Sequence, residues 1–267
     1  MYVHKVSEAL NWRKILSFSV TIQRVRTSFN STFWIANSLE LFERFAFYGS
    51  KAILVVYLAN RLDLGVEAAA SLAGMYAGIM YSLPLVAGVF VDRYGFRKTL
   101  AACFFLFALG YFLIALPCLD LGAALVQSVG PTPYITAVLV LTSIGGSLIK
   151  PCIVGTVAKT TVPETASLGY SIYYSIVNIG GALGPIFALQ IRHLLGIEYV
   201  LVMASVVSAC LFLGTLAFFR EPDKPLETVE TAQSASFTKI FKDMLMVFSN
   251  IKFITFLTLL SSFYLMF

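Results

Sequence analysis

Four charged residues lie close together in an otherwise apolar stretch near the start of the chain. The stretch SLELFERFAFYGSKAIL (residues 38–54) contains Glu40, Glu43, Arg44 and Lys51. At about 100° per residue on a helix, these side chains fall within an arc of about 100°, and the other faces carry Leu, Phe, Ala and Ile. A charge at the centre of a bilayer costs about 2.5–3.5 kcal/mol on insertion scales. The stripe therefore indicates a functional site.

The chemistry that this stripe offers is the uptake and release of a proton. Glu40 and Arg44, spaced i,i+4, could neutralise each other as a buried pair, but this pairing explains only two of the charges. Glu43 adds a second carboxylate beside the same arginine. Two carboxylates that share one arginine do not both ionise easily in a low dielectric, so one is expected to hold a proton. We therefore predict a proton-coupling group.

Further polar residues lie deep in two later apolar runs. Lys150 stands in IGGSLIKPCIVG, far from both ends of its run, and SIYYSIVNIGGALGP places Tyr174 and Asn178 one turn apart. Ordinary interhelical hydrogen bonding and ligand contact both fit Tyr174 and Asn178. The two glutamates and the three intramembrane basic residues leave a net positive interior, which favours a carboxylate or another anion as the ligand.

The composition places this chain in a membrane. Hydrophobic residues make up 58% and charged residues 12%, against about 25% charged in soluble domains. Apolar runs of the roughly 20 residues that a helix needs to cross a bilayer recur along the chain. We place six spans near 33–60, 69–91, 99–119, 134–158, 167–191 and 198–219.

These runs divide the chain into four parts. We expect a cytoplasmic arm over 1–30, a six-span bundle over 31–220, a cytoplasmic linker over 221–250 and a truncated seventh span over 251–267. Within the linker, residues 237–248 have apolar side chains at helical spacing, which fits a helix on the membrane surface or an apolar stretch of a solvated linker. The seventh run falls short of the roughly 17 residues that a span requires, so we expect the polypeptide to stop in mid-span.

The net charge of +5 reflects membrane topology and excludes nucleic acid as the expected partner. Fourteen of the 19 basic residues fall on one side of the predicted spans, two on the other and three inside. The positive-inside rule then makes the chain a multi-pass protein of the plasma or inner membrane with a cytoplasmic N-terminus. The four cysteines and two histidines have no metal-ligand spacing. Because no catalytic nucleophile or phosphate loop is evident either, we expect neither a metal site nor an enzyme.

The junction of spans two and three resembles a superfamily signature. Gly88, Asp92, Arg93 and Gly95 match the G-x-x-x-D-R/K-x-G pattern of the major facilitator superfamily, although a simple cluster of cytoplasmic anchoring charges also fits. Physically, Gly88 permits close helix packing, Gly95 a tight turn, and Asp92 could cap a neighbouring helix and pair with arginines. The resemblance implies an all-α integral membrane fold, the six-helix N-terminal half of a major facilitator fold plus the start of a seventh span. It also implies conformational gating by Gly88, Asp92, Arg93, Gly95 and Arg97.

The charged stripe itself resembles a narrower family. The residues from Glu40 to Gly49 are similar to the E-x-x-E-R-F-x-x-Y-G motif of the proton-dependent oligopeptide transporters. Lys150-Pro151 resembles that family's span-four K-P element, and 174–180 resembles its span-five signature. This resemblance implies proton coupling by Glu40, Glu43, Arg44 and Lys150. It implies substrate binding by Tyr48, Lys51, Tyr81, Lys150, Tyr174 and Asn178.

The expected function is symport of protons and di- or tripeptides, with the proton as coupling ion and no other cofactor. Lys51 stands where the family commonly has arginine, which leaves the peptide specificity more open than the proton coupling. The alternatives are a proton-coupled transporter of another small organic anion, or a truncated or complementing subunit that does not transport. Since alternating access needs two halves, the C-terminal six-span half is an expected partner, and we expect residues 1–267 alone not to transport.

Overall fold

The computed structural model describes residues 25, 27–119, 122, 126, 128–222, 246 and 249–265. The described residues are helical, with no strand among them. Their α-helices are α1 (Ser31–Val56), α2 (Val66–Ser82), α3 (Pro84–Tyr94), α4 (Phe96–Ala115), α5 (Pro131–Ser147), α6 (Ile149–Thr160), α7 (Ala166–Leu194), α8 (Ile197–Phe218) and α9 (Ile251–Leu265). A π-helical turn, Tyr57–Arg61, extends α1, and a 3-10 turn, Leu116–Cys118, extends α4.

The six predicted spans are all present as helices. Span one is α1 with its π-helical turn, span two is α2 and α3, and span three is α4. Span four is α5 and α6, span five is α7 and span six is α8, while α9 forms the predicted start of a seventh span. The predicted fold class, an all-α membrane bundle of six helices plus the start of a seventh, is confirmed.

Most of these helices satisfy the length and apolarity that a membrane crossing requires. Among the described residues, Phe96–Cys118, Pro131–Thr160, Ala166–Leu194 and Ile197–Phe218 do so, and the bent pair that forms span two makes a fifth. The helix α1 has 26 residues and at 1.5 Å per residue is about 39 Å long. Because α1 carries the four charged residues, its place in a bilayer depends on the helices that cover them.

Span two is broken by a proline. Its two helices meet at an angle of 51°, where Pro84 occupies the first turn of α3. Proline has no N–H to continue the helical hydrogen bonds and its ring clashes with the preceding turn. The backbone N–H of Leu83 still donates to Ile79 O at 3.1 Å. The next residue, Pro84, has no N–H to donate, so α2 ends here and α3 begins. Tyr81, a predicted binding residue, lies directly before the bend.

Spans one and five are in close contact through glycines. A Cβ added at Gly180 would lie 2.6 Å from Leu41 O and 2.8 Å from the Arg44 Cβ, and one at Gly184 would overlap Phe45 O and lie 2.9 Å from Gly49 N. Small residues four apart let the backbones of membrane helices approach closely. This contact brings α7 directly against the face of α1 that carries Arg44.

Polar contacts join span six to spans one and three at opposite ends of the bundle. At one end, which we call the Arg61 end, Arg61 Nη2 lies 3.1 Å from Glu198 Oε1. At the other, which we call the Arg97 end, Arg97 Nη2 donates to Leu216 O. These contacts hold the outer helices around the charged stripe of α1.

One side of the bundle is open in the described residues. Only 22% of the apolar window of α7 is buried, against 61% for Phe96–Cys118. The predicted arm (1–30) and linker (221–250) lie almost wholly outside the described residues, as does the amphipathic segment 237–248, so those predictions stay predictions.

The close approach of α1 and α7 predicts a difference between two glycine-to-alanine substitutions. Gly184→Ala should lower the free energy of unfolding by about 1–3 kcal/mol, because the new methyl group forces two backbones apart. Gly214→Ala is the matched control, since its Cβ would lie 3.8 Å from Leu39 Cδ2, an ordinary contact. Thermal unfolding of the purified chain in detergent compares the two, and equal stabilities would contradict the packing described here.

Candidate functional site

The predicted proton-coupling residues of span one form a buried group. Glu40, Glu43 and Arg44 are exposed by only 1%, 2% and 4%. They lie on one face of α1, where α7 packs against the Arg44 Cβ and its Tyr173 contacts Glu40. The structure therefore brings together the two carboxylates and the guanidinium that the sequence predicted, away from solvent.

The guanidinium of Arg44 lies between the two carboxylates. Its Nε donates to Glu43 Oε2 in a short hydrogen bond and lies 3.4 Å from Glu40 Oε1. The Arg44 Cζ also lies 5.0 Å from the centre of the Phe47 ring, a cation–π distance. The other carboxylate oxygens, Glu40 Oε2 and Glu43 Oε1, are buried and have no hydrogen-bond partner among the described residues.

A tyrosine of span five completes this group. Tyr173 is exposed by 1%, and its hydroxyl donates to Glu40 Oε1 at 3.3 Å. The sequence analysis named the adjacent Tyr174, as a substrate-binding residue, and not Tyr173. Tyr174 is 61% exposed. The two glycines that follow in α7 offered a signal, because they identify the face of α7 that meets α1, and Tyr173 lies on the same face seven residues before Gly180.

The charge balance of this group decides what it can do chemically. With both glutamates ionised, Glu40, Glu43 and Arg44 sum to one negative charge, and one proton makes the sum zero. A buried uncompensated charge is costly in a low dielectric, whereas a neutral hydrogen-bonded set is not. Binding of one proton therefore stabilises the buried group, and release of that proton destabilises it. A site that couples proton movement to another process needs this property.

Lys150 does not join the buried group directly. It is exposed on α6, and among the described residues it forms no ion pair. It nevertheless acts electrostatically on the Glu43 carboxylate. Lys150 is therefore exposed near the buried group of Glu40, Glu43 and Arg44 and does not lie between the two glutamates.

Two of the predicted binding residues meet across spans one and two. The exposed Lys51 places its Nζ 5.9 Å from the centre of the Tyr81 ring and 5.9 Å from that of Phe47. All three line a cavity of about 110 Å³ together with Tyr76 and Met80. The lining of this small cavity thus includes an ammonium group and three aromatic rings.

The remaining binding candidates lie along α1 and α7. The Tyr48 ring is half-buried, with its centre 5.9 Å from Arg44 Cζ, and it packs against Gly181 of α7. Tyr174 and Asn178 are exposed on one face of α7. Within the described part of the chain, neither Tyr174 nor Asn178 contacts Lys51. The structure therefore brings Lys51 and Tyr81 together and leaves Tyr174 and Asn178 facing open space.

The signature loop between spans two and three differs from its predicted role. Asp92 is exposed, and the carboxylate at the start of α4 is that of Glu221, whose two oxygens accept from Phe96 N at 2.7 Å and Arg97 N at 3.0 Å. The expectation that Asp92 caps a neighbouring helix is thus wrong for the described residues. Glu221 follows span six directly, but nothing in its local sequence pointed to α4.

The glycines and arginines of the same loop give a mixed outcome. Gly95 has φ +85°, consistent with the predicted tight turn. A Cβ added at Gly88 would meet no described atom within 4 Å, so the close packing expected there is absent from the described residues. Arg93 Cζ lies 5.6 Å from the centre of the Tyr94 ring, and Arg97 reaches span six as described above.

One apolar cavity of the described bundle lies away from the charged residues. It measures about 520 Å³ and lies between α1 and α8, lined by apolar side chains such as Trp34, Phe42 and Phe218. A groove without charged groups does not suit a charged ligand, so we place the candidate site at Lys51 and the coupling group. Among the described residues, no cluster of three or more His, Cys, Asp or Glu could hold a metal ion.

A helical membrane bundle with a buried group of two carboxylates and one guanidinium defines a class of membrane transport protein. The sequence profile described as Major Facilitator Superfamily matches residues 37–267. The chain therefore belongs to the major facilitator superfamily.

Curated relatives within this superfamily confirm the narrower resemblance predicted from the sequence. The chain is 29% identical over 191 residues to "Peptide transporter family 1" of Drosophila melanogaster, a match that covers 68% of this chain and 25% of the relative. It is 27% identical over 168 residues to "Dipeptide and tripeptide permease B" of Aliivibrio fischeri (strain MJ11), covering 62% and 32%. The chain thus spans about a quarter to a third of these relatives.

Solved structures agree on the fold. A POT family transporter in complex with 5-aminolevulinic acid is similar with a TM-score of 0.62 at 22% identity, over 87% of this chain and 46% of that one. The peptide transporter POT in complex with sulfate gives a TM-score of 0.60 at 19% identity, over 85% and 50%. The bundle described here therefore corresponds in fold to about half of such a transporter.

The contact between Tyr173 and Glu40 predicts a specific loss of stability. Tyr173→Phe should lower the free energy of unfolding by about 1.5 kcal/mol, the low end for a hydrogen bond to a charged group. Tyr174→Phe is the control, because that exposed neighbour has no hydrogen bond among the described residues. Thermal unfolding in detergent at neutral pH compares the pair, and an equal effect of both substitutions would show that Tyr173 does not hold Glu40.

Proposed function

We propose that this chain is the N-terminal half of a proton-coupled symporter of small peptides, a member of the proton-dependent oligopeptide transporters. The observation that carries the proposal is the buried group of Glu40, Glu43 and Arg44, whose net charge changes between minus one and zero with one proton. Such a group is costly to bury without a function. The names of the curated relatives, which are peptide transporters and permeases, support the same assignment.

The basic residues at the open side of the bundle provide the substrate end. Lys51 and Lys150 are exposed beside the coupling group, and an ammonium group binds a carboxylate through charge-assisted hydrogen bonds. We infer that they receive the peptide C-terminus, with Tyr48, Tyr81, Tyr174 and Asn178 shaping the pocket. The C-terminal six-span half is the partner that closes this side, because alternating access needs two halves around a shared site.

The setting of this function follows from the predicted topology. We propose a plasma or inner membrane location with the N-terminus and the Arg97 end in the cytoplasm. There, Gly88, Asp92, Arg93, Gly95 and Arg97 form part of the gate, and Glu221 joins them through its contacts with α4. The proton is the coupling ion, and the proposal requires no other cofactor, no nucleic acid and no enzymatic activity.

A second candidate substrate class is another small organic anion. Exposed ammonium groups recognise a carboxylate whatever molecule carries it, and one structure of similar fold is described in complex with 5-aminolevulinic acid. Competition between peptides and such acids for uptake by the full protein would separate the two classes.

The coupling assignment predicts the effect of neutralising either glutamate. In the full protein that carries this chain, Glu40→Gln or Glu43→Gln should abolish proton-driven peptide uptake, because the group no longer exchanges its proton. Counterflow, which needs no net proton movement, should persist in part. Proteoliposomes with an imposed pH gradient measure both. Glu164→Gln, an exposed carboxylate, is the control, and wild-type proton dependence in both mutants would refute the assignment.

The substrate end predicts a charge-specific loss of affinity. Lys51→Gln should weaken binding of peptides with a free C-terminal carboxylate about ten- to a hundredfold, the range for a hydrogen bond between charged groups. Peptide amides should bind equally to both forms. Competition of labelled-peptide uptake by a peptide and by its amide measures this, with Lys252→Gln as an exposed control. An equal loss for the amide would contradict the proposed contact.

A further inference from the structure

Two buried tyrosines of spans two and three lie beside the coupling group without belonging to it. Tyr76 and Tyr111 are exposed by 5% and 2%. Their hydroxyls are neighbours of each other, with the Ser50 hydroxyl alongside, and both interact electrostatically with the Glu43 carboxylate. Tyr76, Tyr111 and Ser50 thus form a polar cluster near the Glu43 carboxylate.

Two buried polar atoms of this cluster form no hydrogen bond of ordinary geometry among the described residues. They are Tyr111 Oη and Glu43 Oε1, and the Ser50 and Tyr76 hydroxyls lie beside Tyr111. Buried polar atoms are almost always hydrogen-bonded, either to protein or to ordered water. A buried water typically has two to four polar partners, and these four groups can supply them.

The cluster is connected to the cavity at the substrate end. Tyr76 lines the cavity of about 110 Å³ that Lys51 and Tyr81 also line. Its backbone is held from span four, where Ser143 Oγ donates to Tyr76 O at 3.2 Å. Ring stacking against Phe107, at 5.4 Å between centres, fixes Tyr111. Tyr76 therefore joins the wall of this cavity to Tyr111.

We propose that Tyr76, Tyr111 and a water molecule held between Tyr111 and Glu43 conduct the proton between the cavity and the coupling group. One proton enters at Tyr76 Oη while that hydroxyl passes its own proton to Tyr111 Oη. Tyr111 hands its proton to the water, and the water protonates Glu43 Oε1. Every tyrosine and the water end neutral, so the step adds one proton to Glu43 and changes nothing else. The proposal rests on the proposed proton coupling.

The other charged and titratable groups near Glu43 lie on α1, α4, α6 and α7. From α1, Glu40 and Arg44 face Glu43, and Tyr173 reaches it only through Glu40. Lys150 of α6 acts on Glu43 from the open side, and Cys103 of α4 is buried nearby. Among these groups, the hydroxyls of Tyr76 and Tyr111 are those that link Glu43 to the cavity.

The test compares phenylalanine substitutions in the reconstituted full protein. Tyr111→Phe and Tyr76→Phe should each slow proton-driven uptake by on the order of a hundredfold, the low end for a positioned proton-transfer group. In Tyr111→Phe, counterflow and peptide affinity should stay at the wild-type level; Tyr76 lines the cavity at the substrate end, so Tyr76→Phe tests proton-driven uptake alone. Tyr134→Phe is the control, since that hydroxyl donates to Leu113 O, away from the cluster. Wild-type proton-driven uptake in both variants, or an equal loss of counterflow in Tyr111→Phe, would overturn the proposal.

A measurement on the carboxyl group itself separates this proposal from the proposed function. Infrared spectroscopy can follow hydrogen–deuterium exchange of the protonated Glu43 carboxyl. The band of this carboxyl is identified because it is absent in Glu43→Gln. In Tyr111→Phe, exchange should slow at least about tenfold. Unchanged exchange in Tyr111→Phe would contradict the water path. A higher melting temperature of Tyr111→Phe would also contradict it, because it would show that the Tyr111 hydroxyl is buried without a water molecule. If Glu43→Gln retains proton-driven uptake, the proposed function itself fails.

Discussion

The burial of one guanidinium between two carboxylates is the constraint on which the rest of this bundle depends. Three charged side chains are removed from water on α1, and each carries a desolvation cost of several kcal/mol that only close partners offset. The glycines of α7 make this possible, because they allow a backbone-to-backbone approach that excludes solvent and brings the Tyr173 hydroxyl to Glu40. Arg61 contacts Glu198, and Arg97 contacts span six. These contacts hold the outer helices in place around the contact between α1 and α7.

This arrangement separates a rigid side of the bundle from an open one. The buried group of Glu40, Glu43 and Arg44 lies on α1, is contacted by Tyr173 of α7 and is surrounded by buried hydrophobic residues of α1 and α7. Lys51, Lys150, Tyr174 and Asn178 lie on surfaces that the described residues leave uncovered. A buried acid holds its protonation state against the solvent, whereas an exposed ammonium can exchange ligands, so the two tasks suit the two environments.

The sequence predicted the parts of this site that depend on helical periodicity alone. The spacing of Glu40, Glu43 and Arg44 put them on one face, and the apolar runs located all six spans. Periodicity could not choose between the adjacent Tyr173 and Tyr174, because that choice depends on which face of α7 meets α1. It could not reveal that Glu221, 125 residues from Phe96, occupies the position expected for Asp92. It also missed the bend at Pro84, since an apolar run gives no information on direction.

In the proposed symporter, we expect coupling to operate through charge and not through large local movement. The seam of α1 and α7 tolerates no added atom at Gly180 or Gly184, so these helices are expected to move together as one rigid unit. A proton that binds Glu40 or Glu43 changes the net charge beside Lys150, which acts electrostatically on Glu43. Protonation of one glutamate removes a negative charge that attracts the Lys150 ammonium. This ammonium is then free to bind a substrate carboxylate. Under the proposed function, proton uptake and anion binding at the open side then favour each other, as symport requires.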